Sequence, residues 1–222
     1  MARPHPDRDG FAIAIAGVAL LGAMAWLAHA HRRAAPRAVK TASDGLVVPR
    51  ASGTIVDDGN FEEPAWRDAA MGGAFTDDTG GSARPHSEIR FLWSLDGLHL
   101  AVYAADGDIE ERGPAPIPDA FSLQLGREGG PVLELVVTPS EVREEGAPPR
   151  VFAAGHDVDG TVGDPSDDDE EWVTELTVPW SALGAAAEPG ERLVVSARRC
   201  DVTKDSGKRC GAMKRTVLTL SE

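Results

Sequence analysis

"SEIRFLWSLDGLHLAVYAAD", residues Ser87 to Asp106, decides the fold. Two apolar runs, Ser87–Ser94 and Leu98–Asp106, flank "LDG", a tight-turn signal, and in the second run Leu98, Leu100 and Val102 share one face. A two-residue period marks a strand with one face on a core, and two such runs across a glycine-bearing turn predict a β-hairpin. The pattern continues outward. In "DAFSLQLG" (Asp119–Gly126) Phe121, Leu123 and Leu125 alternate, and "PVLELVVTP" follows across "REGG" as a second hairpin. "RVFAAGH" is strand-like, and "EWVTELTVPW" sets Trp172, Thr174, Leu176 and Val178 against Val173, Glu175 and Thr177. Pro179 then opens a helical turn that Gly184 stops, and "RLVVSARRC" and "RTVLTL" close the fold as strands. Roughly eight strands, a short helix after Pro64 and no internal repeat predict an all-β fold: an antiparallel, jelly-roll-like β-sandwich with one or two short helices.

A chain of 222 residues has room for one such domain plus an appendage. The formal charge is −14, unevenly spread: residues 1–45 carry six Lys/Arg against three Asp/Glu, leaving 16 against 33 for the remainder. So acidic a body repels phosphate backbones and anionic lipid, which argues against nucleic acid as a partner.

The N-terminus divides into a polar stretch (1–10), an apolar segment (11–30) and a basic flexible linker (31–50), ahead of the domain at 51–222. Phe11–Ala30 is long enough to cross the inner membrane as an uncleaved anchor. It equally reads as a signal peptide, with Arg3 and Arg8 before it and "AHA" at Ala28–Ala30 as a cleavage site. Both alternatives stand. Arg32, Arg33, Arg37 and Lys40 after the segment oppose export by the positive-inside rule. The expectation is nevertheless a domain facing the periplasm, anchored or released; free thiols would mark the cytoplasmic orientation instead.

The acidic run "GDPSDDDEEW" (Gly163–Trp172) with "HDVDG" before it suits a hard cation, and Asp157, Asp159 and Asp167 are the candidate ligands of a structural calcium. The usual twelve-residue loop is absent, since no glycine stands sixth and no glutamate twelfth from Asp157, so a solvated loop is the competing reading. Cys200 and Cys210 bound "CDVTKDSGKRC", whose "KDSG" can turn the chain, and in an oxidising compartment they predict a cross-strand disulfide. His86, His99 and His156 lie far apart and read as surface or edge residues. No G-x-S-x-G, H-E-x-x-H or phosphate loop is present, so no catalysis is expected.

Four pieces fall in order: "GTIVDDGNFEEPAWRDA", "IRFLWSLDGLHLAVYAADGDI", "DAFSLQL" and "WVTELTVPWSALG". Together, from Ala51 to Leu220, they resemble the carbohydrate-binding module family 9 domain. Its D-G-x-L-D-E-P-x-W opening precedes a W-D-x-x-x-L-Y-V hairpin, a D-x-V-E-I-F-L strand and a W-x-x-E-x-x-I-P-W strand. The resemblance implies an exported β-sandwich that binds sugars, often the ends of plant polysaccharides, and can hold calcium. It implies core roles for Trp66, Trp93 and Trp180. Asp119 matches the family's aspartate and Glu175 its glutamate, as polar contacts or calcium ligands, and Trp172 joins them as the third candidate carbohydrate contact. The family's two stacking aromatics have no counterpart: the first region reads "APIPDAF", and after Cys210 the chain runs "GAMKRTVLTLSE". The expected function is therefore a non-catalytic carbohydrate-binding module with weak or atypical binding. The alternative is a structural or protein-interaction sandwich of the cell envelope that has lost its sugar, with an envelope protein as partner.

Overall fold

The computed structural model describes residues 45–111, 119–146, 151–164, 166–203 and 207–222. The segments 1–10 and 11–30 and most of the linker lie outside them, but the end expected to belong to the linker is part of the domain, with Leu46 and Val48 buried in the core; among the described residues no helix is long and apolar enough to cross a membrane. The strands form two sheets. One holds β1 (Leu46–Val48), β3 (Phe75–Thr76), β6 (Ala120–Arg127), β7 (Val132–Val137), β8 (Val142–Glu144), β9 (Val151–Phe152), β12 (Arg192–Thr203) and β13 (Gly207–Leu220). Its order is β1-β13-β12-β6-β7-β8-β9, with β3 also on β13. The other runs β10-β11-β5-β4-β2, from β10 (Ala154–Asp159), β11 (Glu171–Pro179), β5 (Gly97–Ala105), β4 (Ser87–Trp93) and β2 (Ala70–Met71). The hairpin that decided the fold is there: β4 and β5 pair antiparallel from Ser87↔Ala104 to Trp93↔Leu98. Only β1 on β13 is parallel among these strand pairs.

The inward phases of the strands meet in one core. Leu98, Leu100, Val102 and Ala104 of β5, Phe121, Leu123 and Leu125 of β6, Trp172, Leu176 and Val178 of β11, and Leu193 and Val195 of β12 are all buried there. Each Leu or Val so buried contributes about 1.5–3 kcal/mol, enough for a two-residue period to fix which face turns inward. Phe121 and Trp172 meet across the two sheets edge to face, 5.5 Å between ring centroids. After β11 the chain enters α1 (Trp180–Leu183), and Gly184 ends it in the left-handed conformation, φ 59°. Trp180 stacks edge-on against Trp93 at 6.3 Å, and their indole N–H groups donate to Ser94 O (2.9 Å) and Ser221 O (2.7 Å).

The five-stranded sheet is buried on its outer face as well. Leu92 and Ala101, on the phase opposite to the core, pack with Ala65, Trp66 and Ala69 in a second apolar cluster, flanked by Ala51, Ile55 and Phe61. The segment 51–70, including the 3₁₀ turn Pro64–Arg67, is thus a strap across that face, and Trp66 is its plug, 2% exposed. The strap crosses β10 at backbone contact: a Cβ on Gly155 would lie 2.2 Å from Asp57 O. On the opposite sheet, Cys200 and Cys210 are directly paired residues of β12 and β13 and form the expected disulfide.

Candidate functional site

Glu175 faces outward from β11, beneath the strap, and is fully buried. Its Oε2 accepts three consecutive backbone N–H groups, from Asp58 (3.3 Å), Gly59 (2.7 Å) and Asn60 (3.1 Å). Burial pushes the carboxyl up to about 7, helped by repulsion from Glu63 and Asp58, against the N–H groups that favour its charge. This corrects the expectation of a carbohydrate contact: the carboxylate is a latch for the "DDGN" turn and has no surface to offer a ligand. Beside it, His99 is buried on the central strand β5, not at a surface or edge. Its ring nitrogens bond to Thr177 Oγ1 and Ser94 Oγ, both at 2.9 Å, and burial lowers its pKa. His156, half-buried on the edge strand β10, bonds Thr174 Oγ1, and His86 is exposed.

Trp172 is likewise a core residue, 0% exposed against Phe121, and cannot stack on a sugar. Two-residue alternation put it on the phase of Leu176 and Val178, and the structure keeps it there. Asp119, also 0% exposed, binds the chain back on itself: its Oδ2 accepts the Glu110 N–H at 2.5 Å. These two candidates do come together, at one end of the sandwich, around a group the sequence reading passed over. Asp106, Asp119 and Asp201 bring carboxylate oxygens within 4.8 Å of one another, all buried. The Arg199 guanidinium lies among them, with Nη2 at 2.9 Å from Asp106 Oδ2 and 3.1 Å from Asp201 Oδ1. Nη1 donates to His86 O and Ser87 Oγ, and the guanidinium carbon stands 6.0 Å from the Phe121 ring.

The donor set has the chemistry of a cation site, but a positive side chain is already bonded to two of its three carboxylates, so the residues present do not fit calcium there. Asp157, Asp159 and Asp167 do not converge on each other as a metal-binding group among the described residues. Asp157 and Asp159 are exposed two residues apart on β10, and Asp167 lies in the following loop. The organising aspartate of that region is Asp169. Its Oδ2 accepts the Ile109 N–H (2.6 Å) and its Oδ1 the Thr161 N–H (2.8 Å), while Gly163 N–H donates to Ile109 O at 2.7 Å. The loops at 106–111 and 160–169 are thereby joined into one surface, rimmed by Glu110, Thr161, Asp164 and Asp168.

None of the Phe, Tyr or Trp rings among the described residues is exposed; Phe61, Tyr103 and Phe152 are half-buried and the rest buried. The signal for the charged cluster was nevertheless in the strand phases. Asp106 continues the Leu98–Ala104 series, Asp119 precedes Phe121–Leu125, and Arg199 and Asp201 extend Leu193–Val195–Ala197, all on the core-facing period.

No protein-family model and no curated protein matches the chain. Solved structures do. A carbohydrate-binding module family 9 domain from Caldicellulosiruptor kristjanssonii, in complex with cellotriose, aligns at TM-score 0.51 and 10% identity, covering 79% of this chain and 93% of that one. The same organism's module in complex with glucose aligns at 0.53 and 10% identity, over 79% and 95%. A protein from Bacteroides uniformis, provisionally assigned to carbohydrate binding, aligns at 0.52 and 10% identity over 80% and 99%. At the level of the fold, the resemblance read from the four motifs holds over nearly the whole length of these domains.

Proposed function

We propose that the sandwich, from β1 at Leu46 to the end of β13, is a non-catalytic carbohydrate-recognition module, working outside the cytoplasm, that holds its glycan weakly and by polar contacts. The observation that carries this is the shared sandwich: the neighbours that align over 93% and 95% of their own length are modules in complex with cellotriose and glucose. The weakness follows from the aromatics. Ring stacking supplies a large, rigid apolar contact, and here Trp66, Trp93, Trp172 and Trp180 are all committed to cores. The loop surface joined by Asp169 is what remains, a rim of carboxylates, hydroxyls and backbone amides suited to sugar hydroxyls. The apolar N-terminal segment and the Cys200–Cys210 disulfide support an exported location, whether the segment stays as an anchor or is removed.

The test is a titration of the purified protein with glucose, cello- and xylo-oligosaccharides, followed by amide chemical shifts. The reading expects millimolar-order binding, with shifts confined to residues 108–111 and 159–169. A shift pattern elsewhere would move the site, and none on any sugar would end the proposal. A second reading then takes over, a structural or protein-interaction module of the envelope. It is favoured by the edge strand β9, where Val151 is 64% exposed beside Arg143 of β8.

A further inference from the structure

Calcium is the ion that the resemblance attaches to this kind of sandwich, yet the one place where carboxylates converge among the described residues is occupied by a side chain. Asp106 comes from the end of β5 in one sheet, Arg199 and Asp201 from β12 in the other, and Asp119 from the turn into β6. Four groups on three separate chain segments therefore meet around one guanidinium. Arg199 itself is 3% exposed, and it bonds Asp106 and Asp201 while also tying down the start of β4 through His86 O and Ser87 Oγ. A planar cation with several donors can satisfy several oxygens at fixed angles, which is the task a divalent ion performs in an oxygen cage.

We propose that Arg199 is the resident cation of this cluster: it stands in for a divalent metal between Asp106 and Asp201, so the end of the sandwich is closed without calcium. The charges around it are not balanced. Three buried carboxylates converge where one guanidinium is bonded; Asp108 gives its backbone N–H to Asp106, and the exposed Arg209 on β13 adds a second positive charge that acts on Asp201. Below about pH 6 the excess is taken up by a proton. Asp201 Oδ2 is buried with no donor facing it, and a proton shared with Asp106 turns that orphan acceptor into a satisfied one. Burial raises Asp201 to about 6, and Asp106 is raised as well, also by burial, against the attraction of Arg199. On the core side Phe121 lies 6.0 Å from the guanidinium carbon and packs on Trp172.

The experiment is thermal unfolding of the full chain at pH 7.5 with 5 mM EDTA, with 5 mM calcium chloride, and with neither, for the wild type and Arg199→Ala. A resident calcium held at a hundred times its dissociation constant would move Tm by roughly 5–10 °C between the two additions. The proposal expects no wild-type shift. It expects Arg199→Ala to melt lower and to regain part of that loss in calcium, since the variant leaves an oxygen cage without a cation. A wild-type Tm that falls in EDTA and recovers in calcium overturns the proposal, and so does an Arg199→Ala protein that calcium leaves unmoved. Should that variant not fold, Asp201→Asn decides: with Arg199 kept and one carboxylate removed, it is expected to fold, to ignore calcium, and to show a smaller fall in Tm between pH 5 and 7 than the wild type, keeping only the part that Glu175 supplies. An unchanged pH profile in Asp201→Asn refutes the shared proton and with it the charge balance proposed. None of these readouts depends on whether the domain binds sugar.

Discussion

Glu175→Ala removes the acceptor of three backbone N–H groups at once, and its cost can be worked from their environments. The Gly59 N–H is buried and would be left without a partner, at about 2 kcal/mol; the Asp58 and Asn60 groups are part-buried and can turn to water, at about 0.5–1 kcal/mol each. At pH 5 the expected loss is therefore about 3–4 kcal/mol. The pH dependence has a definite sign. Because the native pKa is raised from 4.5 to about 7, the native state holds a proton that the unfolded chain releases. The stability Glu175 contributes is thus fully present below about pH 4.5 and falls as pH rises through 7, by about 3 kcal/mol in all. The penalty of Glu175→Ala should shrink to about 1 kcal/mol or less at pH 8.5. Urea unfolding of both proteins at pH 5 and 8.5, with hydrogen exchange at the Gly59 amide, measures it. A loss under about 1 kcal/mol at pH 5, or a penalty that grows with pH, would refute the reasoning. The second outcome would mean that the three N–H groups outweigh burial and hold the carboxylate ionised.

Gly155→Ala should be as harmful as a large core change although it adds one methyl group. Its Cβ would meet Asp57 O, Asp57 C and Asp58 Cα at 2.2–2.3 Å, all backbone, so the strap must lift; a loss of about 3 kcal/mol is expected in urea unfolding, with Trp66 fluorescence moving toward that of exposed indole. Trp172→Ala is expected to cost about 3–5 kcal/mol in stability and to leave any sugar affinity unchanged wherever the variant is still folded; a selective loss of binding at unchanged Tm would return Trp172 to the ligand. Reduction of Cys200–Cys210, ten residues apart, should lower stability by about 2–3 kcal/mol, read as a drop in Tm on adding reductant, whereas an unchanged Tm would show the β12–β13 pairing to be self-sufficient.

The sandwich was legible because its strands alternate cleanly where one face meets the core. Phe121, Leu123 and Leu125, or Trp172, Leu176 and Val178, could be assigned to that face without further knowledge. The strap was less so. Leu92 and Ala101 read as noise in the alternation of β4 and β5, and only the return of Trp66 onto the sheet's outer face explains why both phases are apolar there. The site residues show the limit most clearly. Motif positions identified Asp119 and Glu175 as special, but a sequence gives a carboxylate's existence and not the direction of its oxygens. In both cases these point at backbone N–H groups, Glu110 for the one and Asp58 to Asn60 for the other.

The burial of every described tryptophan bears on how the domain would recognise a glycan at all. A module that binds by stacking can tolerate mobile polar loops, because the ring supplies the contact area. One that binds by polar contacts gains little from each hydrogen bond, since sugar and protein both give up water to form it, and the net is about 1 kcal/mol apiece. Such a surface holds a ligand only if its donors and acceptors are fixed beforehand, so that their ordering is not charged against binding. The described loops have that support. Asp169 pins Ile109 and Thr161 from beneath, Gly160 leaves room for its carboxylate where a Cβ would lie 1.9 Å from Oδ1, and Asp119 holds Glu110 from the other side. The acidic run is therefore not uniform: its buried aspartate, Asp169, holds the two loops together, while its neighbours Asp164 and Asp168 are exposed, Asp164 accepting from the Ser166 N–H and hydroxyl.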